Sequence, residues 1–152
     1  MDNEQPLNQP QPTPSVMPAG SGMSFPAPAP TGKHVLCVED EHFISELYAR
    51  ALTRAGYDVT VEVDGQRGLD LAKTNKYDII LLDLMIPTLT GTDVLRQLRG
   101  PGAPQLKSKI IITTNLEQRP EVRAAIEHQA DGYIVKAEIT PRELVAFLDS
   151  VK

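Results

Sequence analysis

A single cysteine, Cys37, stands in 152 residues, so no disulfide framework can hold this chain and its fold must rest on a packed core. That usage fits a reducing cytoplasm. Basic runs are also missing: 15 Lys and Arg are dispersed among 20 Asp and Glu, for a formal net charge of −5. A nucleic-acid surface normally shows clustered cations, so direct nucleic-acid binding is not expected. No apolar stretch approaches the roughly 18 residues of a membrane span. The first residues lack the cationic and apolar regions of a signal peptide, which adds to the cytoplasmic expectation. No internal repeat interrupts the pattern, and His34, His42 and His128 have no partners at metal-like spacing.

What is present divides in two. Residues 1–32 hold eight of the thirteen prolines, with few sizeable apolar groups among Gln, Asn, Ser, Gly and Ala. Such a stretch cannot bury enough surface to offset its ordering entropy, and a disordered tail is expected there. Phe25-Pro26-Ala27-Pro28-Ala29-Pro30 has a polyproline bias. It reads either as a solvated tail or as a docking segment for a proline-recognising partner, with a flexible span of about 30 Å. Residues 33–152 are long enough for one domain that buries about two thirds of its unfolded surface.

Within that domain strand-like and helix-like segments alternate. His34 to Val38 is a buried strand, followed by Glu39-Asp40-Glu41. Phe43, Ile44, Leu47, Tyr48, Ala51, Leu52 and Ala55 recur at helical spacing, with Gly56 as the left-handed cap. Tyr57 to Val63 alternates as a strand, and Asp64-Gly65 leads into a short helix with Leu69, Leu71 and Ala72. Ile79 to Leu82 is apolar throughout, as a strand buried on both faces should be. Its run ends on Asp83, before a loop shaped by Pro87 and Gly91. Helix three carries Val94, Leu95 and Leu98 inward. Ile110 to Thr114 is a fourth strand, and helix four starts near Pro120 with Val122, Ala125 and Ile126 inward. Gly132 to Val135 is the fifth strand. Thr140-Pro141-Arg142-Glu143 is a capping box that opens helix five.

Five strands alternating with five helices predict an α/β fold: a doubly wound, five-stranded parallel sheet in the flavodoxin-like order 2-1-3-4-5. That order brings the carboxyl ends of strands one, three, four and five together. They carry Glu39, Asp40, Asp83, Thr114 and Lys136. Close carboxylates repel by up to roughly 4 kcal/mol per pair at an intermediate dielectric. A cation is expected to offset this, and Mg²⁺ suits a site of oxygen ligands that keeps several waters.

Four separated stretches, VLCVEDE, DIILLDLMIPTLTG, IIITTNLEQ and DGYIVK, make residues 33–152 resemble the receiver domain of two-component response regulators. The resemblance implies that Asp83 accepts a phosphoryl group from a histidine kinase or phosphotransfer protein. It implies Glu39 and Asp40 as metal-holding acids, with Asp83 and the backbone carbonyl of Met85 completing an Mg²⁺ site. Thr114 becomes the switch hydroxyl, Lys136 the phosphate-pairing lysine, and Tyr133 the rotating aromatic. The face of helix four, strand five and helix five is then the output surface, acting on a downstream protein or forming a homodimer. No second domain follows Lys152, so a stand-alone regulator rather than an enzyme is expected.

The chain also departs from the family pattern. Ala137 replaces the usual proline after Lys136, where the family has a cis bond; before a non-proline residue that bond costs about 2.5–4 kcal/mol, so a trans or strained loop is expected. Asn115 follows the switch threonine where a small residue is usual, and is expected to narrow access to Asp83. Gln129 stands where glycine often ends helix four. Glu41 reads as a solvated acid at a helix start. Met85 and Leu116 cannot orient a hydrolytic water, which points to a long-lived phosphoryl group. Two other functions stay open: a phosphorylation-independent binding module, and a phosphohydrolase with an aspartyl nucleophile, which would want an acid at Met85.

Overall fold

The computed structural model describes residues 28–115 and 117–151. The proline-rich stretch up to residue 27, and Leu116, lie outside them. Five parallel strands, β1 (His34–Val38), β2 (Asp58–Glu62), β3 (Ile79–Asp83), β4 (Lys109–Thr114) and β5 (Gly132–Val135), form one sheet in the order β2-β1-β3-β4-β5. Between and after them run α1 (His42–Arg54), α2 (Gly65–Lys73), α3 (Gly91–Arg99), α4 (Pro120–Gln129) and α5 (Pro141–Ser150). The expected fold and strand order are those observed.

Side chains alternate across the strands, so each face of the sheet owns half of the core. Leu36, Val38, Ile80, Leu82, Ile110 and Ile112 pack with Leu69, Val94, Leu95, Leu98 and Ile126 under α2, α3 and α4. Val35, Cys37, Ile79, Leu81, Ile111 and Ile134 pack with Tyr48, Leu52, Leu144 and Leu148 under α1 and α5. β3 is buried at every residue because it lies in mid-sheet with helices on both sides. Burying a leucine or isoleucine side chain contributes about 1.5–3 kcal/mol, so these two layers dominate the stability of the domain.

Local signals set the element ends. Thr140 accepts a hydrogen bond from the Glu143 N–H while the Glu143 carboxylate accepts from the Thr140 N–H, the capping box expected for α5. Gly56 follows α1 at φ 95°, a left-handed geometry that costs a side chain about 1–2 kcal/mol. Its carbonyl accepts from the Thr31 N–H at 2.9 Å and the Thr31 hydroxyl at 3.1 Å.

Three expectations are corrected. Phe43 fits the helical period of α1 but is 74% exposed, because the buried face is Ser45, Tyr48 and Leu52. Ala125 is exposed on α4, which buries only Ile126 fully. On the edge strand β2 the expected alternation holds for Tyr57 and Val59, which pack towards the layer under α1 and α5, but further on Val61 and Val63 are exposed while Glu62 is buried. A 3-10 turn over Lys136–Glu138, which no sequence signal announced, follows β5. The Lys136–Ala137 bond is trans, as are all peptide bonds among the described residues.

At the amino end of the sheet Asp78 ties three segments together. Its carboxylate accepts from the His34 N–H at 2.8 Å, and Lys107 lies 3.5 Å away. The His34 hydrogen bond holds its carboxyl below the usual carboxylate range, with burial opposing it and Lys107 adding to it. A folded carboxyl that titrates below its unfolded value stabilises above the unfolded pKa, about 3.9, and loses that contribution as pH falls through the folded one. Asp78→Ala should therefore cost about 1–2 kcal/mol at pH 7. In urea titrations the gap between wild type and variant should close at strongly acidic pH.

Candidate functional site

Register decides what meets at the carboxyl end of the sheet. Asp83, the last residue of β3, is paired with Thr113 on β4. Thr114, one residue on, is paired with Val135 on β5, which puts Lys136 just past the edge. β1 lies on the other side of β3 and ends at Val38, so Glu39 and Asp40 follow it into the same space. The five residues picked from strand ends thus arrive together through parallel pairing alone.

Glu39 and Asp83 are each 1% exposed, and the Lys136 ammonium sits between them. Its Nζ is 3.0 Å from Asp83 Oδ2 and also pairs with Glu39 Oε2. The other oxygens face backbone: Asp83 Oδ1 accepts from the Met85 N–H at 3.1 Å, and Glu39 Oε1 from the Glu41 N–H at 3.2 Å. Asp40 is exposed at the rim, yet one oxygen from each of Glu39, Asp40 and Asp83 lies within 4.8 Å of the others. Thr114 is buried at the end of β4.

Burial pushes the Glu39 carboxyl up to about 7, with the Lys136 hydrogen bond pulling it down and the Asp83 charge opposing that pull. Burial works against the Lys136 ammonium, but its hydrogen bonds to Glu39 and Asp83 prevail and hold it above the usual lysine range. Fully ionised, three carboxylates and one ammonium leave two negative charges in a mostly desolvated pocket. That donor set, all oxygen and doubly negative, fits a hard divalent cation. The Cys37 thiol, pushed up to about 12 by burial with Glu39 adding to it, offers no thiolate to a softer metal or to an electrophile.

The loop after Asp83 is shaped against its neighbours. A Cβ on Gly91 would lie 2.1 Å from the Asp83 carbonyl oxygen, so only glycine lets α3 start this close to the acid. The Gly91 N–H donates to the Leu84 carbonyl at 3.0 Å. Thr88 takes φ 75°, a left-handed conformation that costs a non-glycine residue about 1–2 kcal/mol. Its hydroxyl donates to Asp64, which also caps α2 by accepting from the Arg67 N–H at 2.9 Å. The Gly65 N–H donates to the Pro87 carbonyl at 3.0 Å, so the start of α2 holds the loop that carries Met85. The Met85 side chain itself is 75% exposed.

Asn115 is exposed, its amide donating to Glu41 Oε1 at 2.7 Å. Glu41 is therefore a partner across the mouth of the pocket as well as the residue preceding α1. Tyr133 is half-buried, packed against the layer under α2–α4, and Arg123 of α4 lies over its ring at 4.6 Å. Arg123 and Thr88 escaped notice in the sequence, and Asp64 was read only as leading into a short helix. Only a three-dimensional pairing singles them out, although Asp64 ahead of a helix is a capping signal.

A parallel sheet in this strand order, with its charged cluster at the carboxyl end, defines a doubly wound α/β domain of the kind that binds where strand order reverses. Residues 35–149 match the response regulator receiver domain, and the chain belongs to that family. The response regulator ArlR of Staphylococcus saprophyticus is 41% identical over 102 residues, 67% of this chain and 44% of that protein. The chain thus spans less than half the length of that relative. The BeF3-activated N-terminal receiver domain of Klebsiella pneumoniae RstA superposes with a TM-score of 0.67 at 32% identity, covering 77% of this chain and 96% of that one. The Francisella response regulator 1452 receiver domain gives 0.67 at 28%, covering 77% and 93%. Among the described residues no helix is long and apolar enough to cross a membrane.

Lys136→Met would leave two buried acids without their counter-charge. In EDTA at pH 7 the variant should lose about 3 kcal/mol, and millimolar Mg²⁺ should recover part of it. Chemical denaturation with and without the ion measures both.

Proposed function

We propose that residues 33–152 form a receiver domain that takes a phosphoryl group on Asp83 from a histidine kinase or phosphotransfer protein. The observation that carries this reading is the buried Lys136 ammonium held beside Asp83 at the ends of four parallel strands. Asp83 supplies a carboxylate oxygen to the phosphorus of a phosphohistidine. The P–N bond breaks, its electron pair leaves with the imidazole, and an acyl phosphate forms on Asp83. Lys136 exchanges its contact with the Asp83 carboxylate for the transferred phosphoryl oxygens, a compact charge on a flexible stem. The Met85 N–H keeps Asp83 Oδ1 oriented, and Oδ2 becomes available to attack as Lys136 shifts from it to the incoming phosphoryl oxygens.

Asp40, Asp83 and the Met85 carbonyl would hold Mg²⁺ directly, with Glu39 acting through water. When bound, the ion supplies charge neutralisation for the approach of one anion to another. The oxygen-only donor set supports this.

The acyl phosphate adds about −1.5 to −2 charges and three acceptor oxygens. Thr114 donates its hydroxyl to one of them, Tyr133 rotates into the volume vacated, and the α4–β5–α5 face changes its contacts with a downstream protein or a second copy. We place this activity in the cytoplasm, with the module acting through protein contacts and not through nucleic acid. Met85 cannot hold a hydrolytic water, which favours slow loss of the phosphoryl group.

Incubation with Mg²⁺ and acetyl phosphate should add one phosphoryl mass to the wild type and none to Asp83→Asn. Equal labelling of the two, or none in either, would overturn the assignment. Once the donor is removed, with Mg²⁺ retained, the phosphoryl group should outlast that of Met85→Asn, whose amide can orient a water. Decay followed by intact-protein mass spectrometry makes the comparison.

A further inference from the structure

The backbone at Thr88 carries a cost that its side chain must offset. The Leu89 N–H donates back to the Pro87 carbonyl at 2.9 Å, closing a three-residue turn with Thr88 at its centre at φ 75°. Turns of this hand are rare and strained, and a β-branched residue is among the least suited to one. Glycine would adopt the same backbone without penalty. What Thr88 has and glycine lacks is a hydroxyl, and that hydroxyl donates to Asp64. The Thr88 hydrogen bond, then that of the Arg67 N–H, hold the Asp64 carboxyl below the usual carboxylate range, so it is ionised at neutral pH.

Asp64 belongs to a turn, residues 62–65, that touches both halves of the acidic pocket. The buried Glu62 carboxylate accepts from the Val63 N–H at 3.0 Å and the Asp64 N–H at 3.2 Å, which fixes the turn from within. On one side the Glu62 carbonyl accepts from the Glu39 N–H at 2.9 Å. On the other, Gly65 donates to the Pro87 carbonyl and lies so close to the loop that a Cβ there would be 1.9 Å from the Leu89 carbonyl oxygen. Leu84 and Ile86 root the loop in the core, and between Ile86 and α3 it is the turn over residues 62–65 that fastens it.

We propose that Asp64 and Thr88 are positioning residues: their hydrogen bond clamps the loop after β3 against the turn that also accepts the Glu39 N–H, and so prearranges the two sides of the pocket for a divalent cation. The inference rests on the receiver reading above, in which the Met85 carbonyl and the acids of this pocket hold Mg²⁺. A site held in place before the ion arrives loses less of its binding free energy to ordering. Strain sharpens the dependence. Once the hydroxyl is gone, nothing offsets the left-handed backbone of a branched residue at position 88, and the loop relaxes from its place. A glycine there would lose the clamp but keep the conformation.

The test titrates the full chain with MgCl₂ by calorimetry. Thr88→Val keeps the branched side chain and loses the hydroxyl; it should weaken Mg²⁺ binding about three- to fivefold, a fraction of what a hydrogen bond to a charged group contributes. Thr88→Ser should keep most of the wild-type affinity, and Thr88→Gly should fall between Thr88→Val and the wild type. Asp64→Asn keeps a good cap on α2, and in that background Thr88→Val should cost less than it does alone. An unchanged affinity in Thr88→Val, or an equal loss in Thr88→Ser, would overturn the proposal. The second measurement needs no bound ion: hydrogen exchange followed by ¹⁵N NMR in EDTA. The Gly65 amide, buried against the Pro87 carbonyl, should exchange faster in Thr88→Val, by a larger factor than the Ile80 amide in mid-sheet, which reports the stability of the whole fold. If it does not, Thr88 has no hold on the loop and the proposal falls. If it does while even the wild type binds no Mg²⁺, the clamp stands and the receiver reading is the one that fails.

Discussion

One ammonium holds the working end of this sheet together. Lys136 lies two strands from Asp83 across β4, a separation of about 10 Å between strand axes, so only a long side chain can close the gap. By doing so it gives two desolvated carboxylates a shared counter-charge, without which the ends of β1 and β3 would bring negative groups together unopposed. Breaking such a buried arrangement is costly because the remaining charge is left stranded. The 3-10 turn over Lys136–Glu138 belongs to the same constraint, since it starts on the lysine that must lean back over the sheet.

The loop after β3 is the other half of the pocket, and it is built by near-contact and by strain. Gly91 lets α3 begin against the Asp83 carbonyl, and Thr88 accepts a left-handed backbone while its hydroxyl finds Asp64. The N-terminus of α2 therefore does two jobs: it caps a helix and fastens the segment on which Met85 sits. Small costs in the loop are offset by the apolar layers beneath, where β3 is buried along its full length.

Much of this was legible in the sequence because buried parallel strands write themselves as continuous apolar runs. Ile79 to Leu82, with Asp83 immediately after, could hardly be read otherwise, and the strand order is that of the doubly wound pattern which alternating strands and helices suggest. Side-chain facing was less legible at the edges. Phe43 and Ala125 satisfy a helical period yet face outward, since periodicity names a stripe without saying how wide the covered part is. Glu62 is buried with its carboxylate accepting from the Val63 and Asp64 N–H groups, while Val61, on the same face as Tyr57 and Val59, is exposed near the end of the edge strand. Ala137 flagged an unusual loop, and the trans bond in a 3-10 turn is its form. The stack of Arg123 on Tyr133 had no local signature at all: it joins residues ten apart through the packing of α4 on β5.

The pinning of Thr31 to the Gly56 carbonyl has a consequence of its own. Gly56 lies between α1 and β2, at the amino end of the parallel sheet, whereas Asp83 closes the carboxyl end of β3. A strand of five residues separates these poles by about 17 Å. The described entry segment, from residue 28 to β1, thus joins the fold at the pole away from the acidic pocket, so the pocket and the point where the chain enters the sheet lie at opposite ends of one short axis.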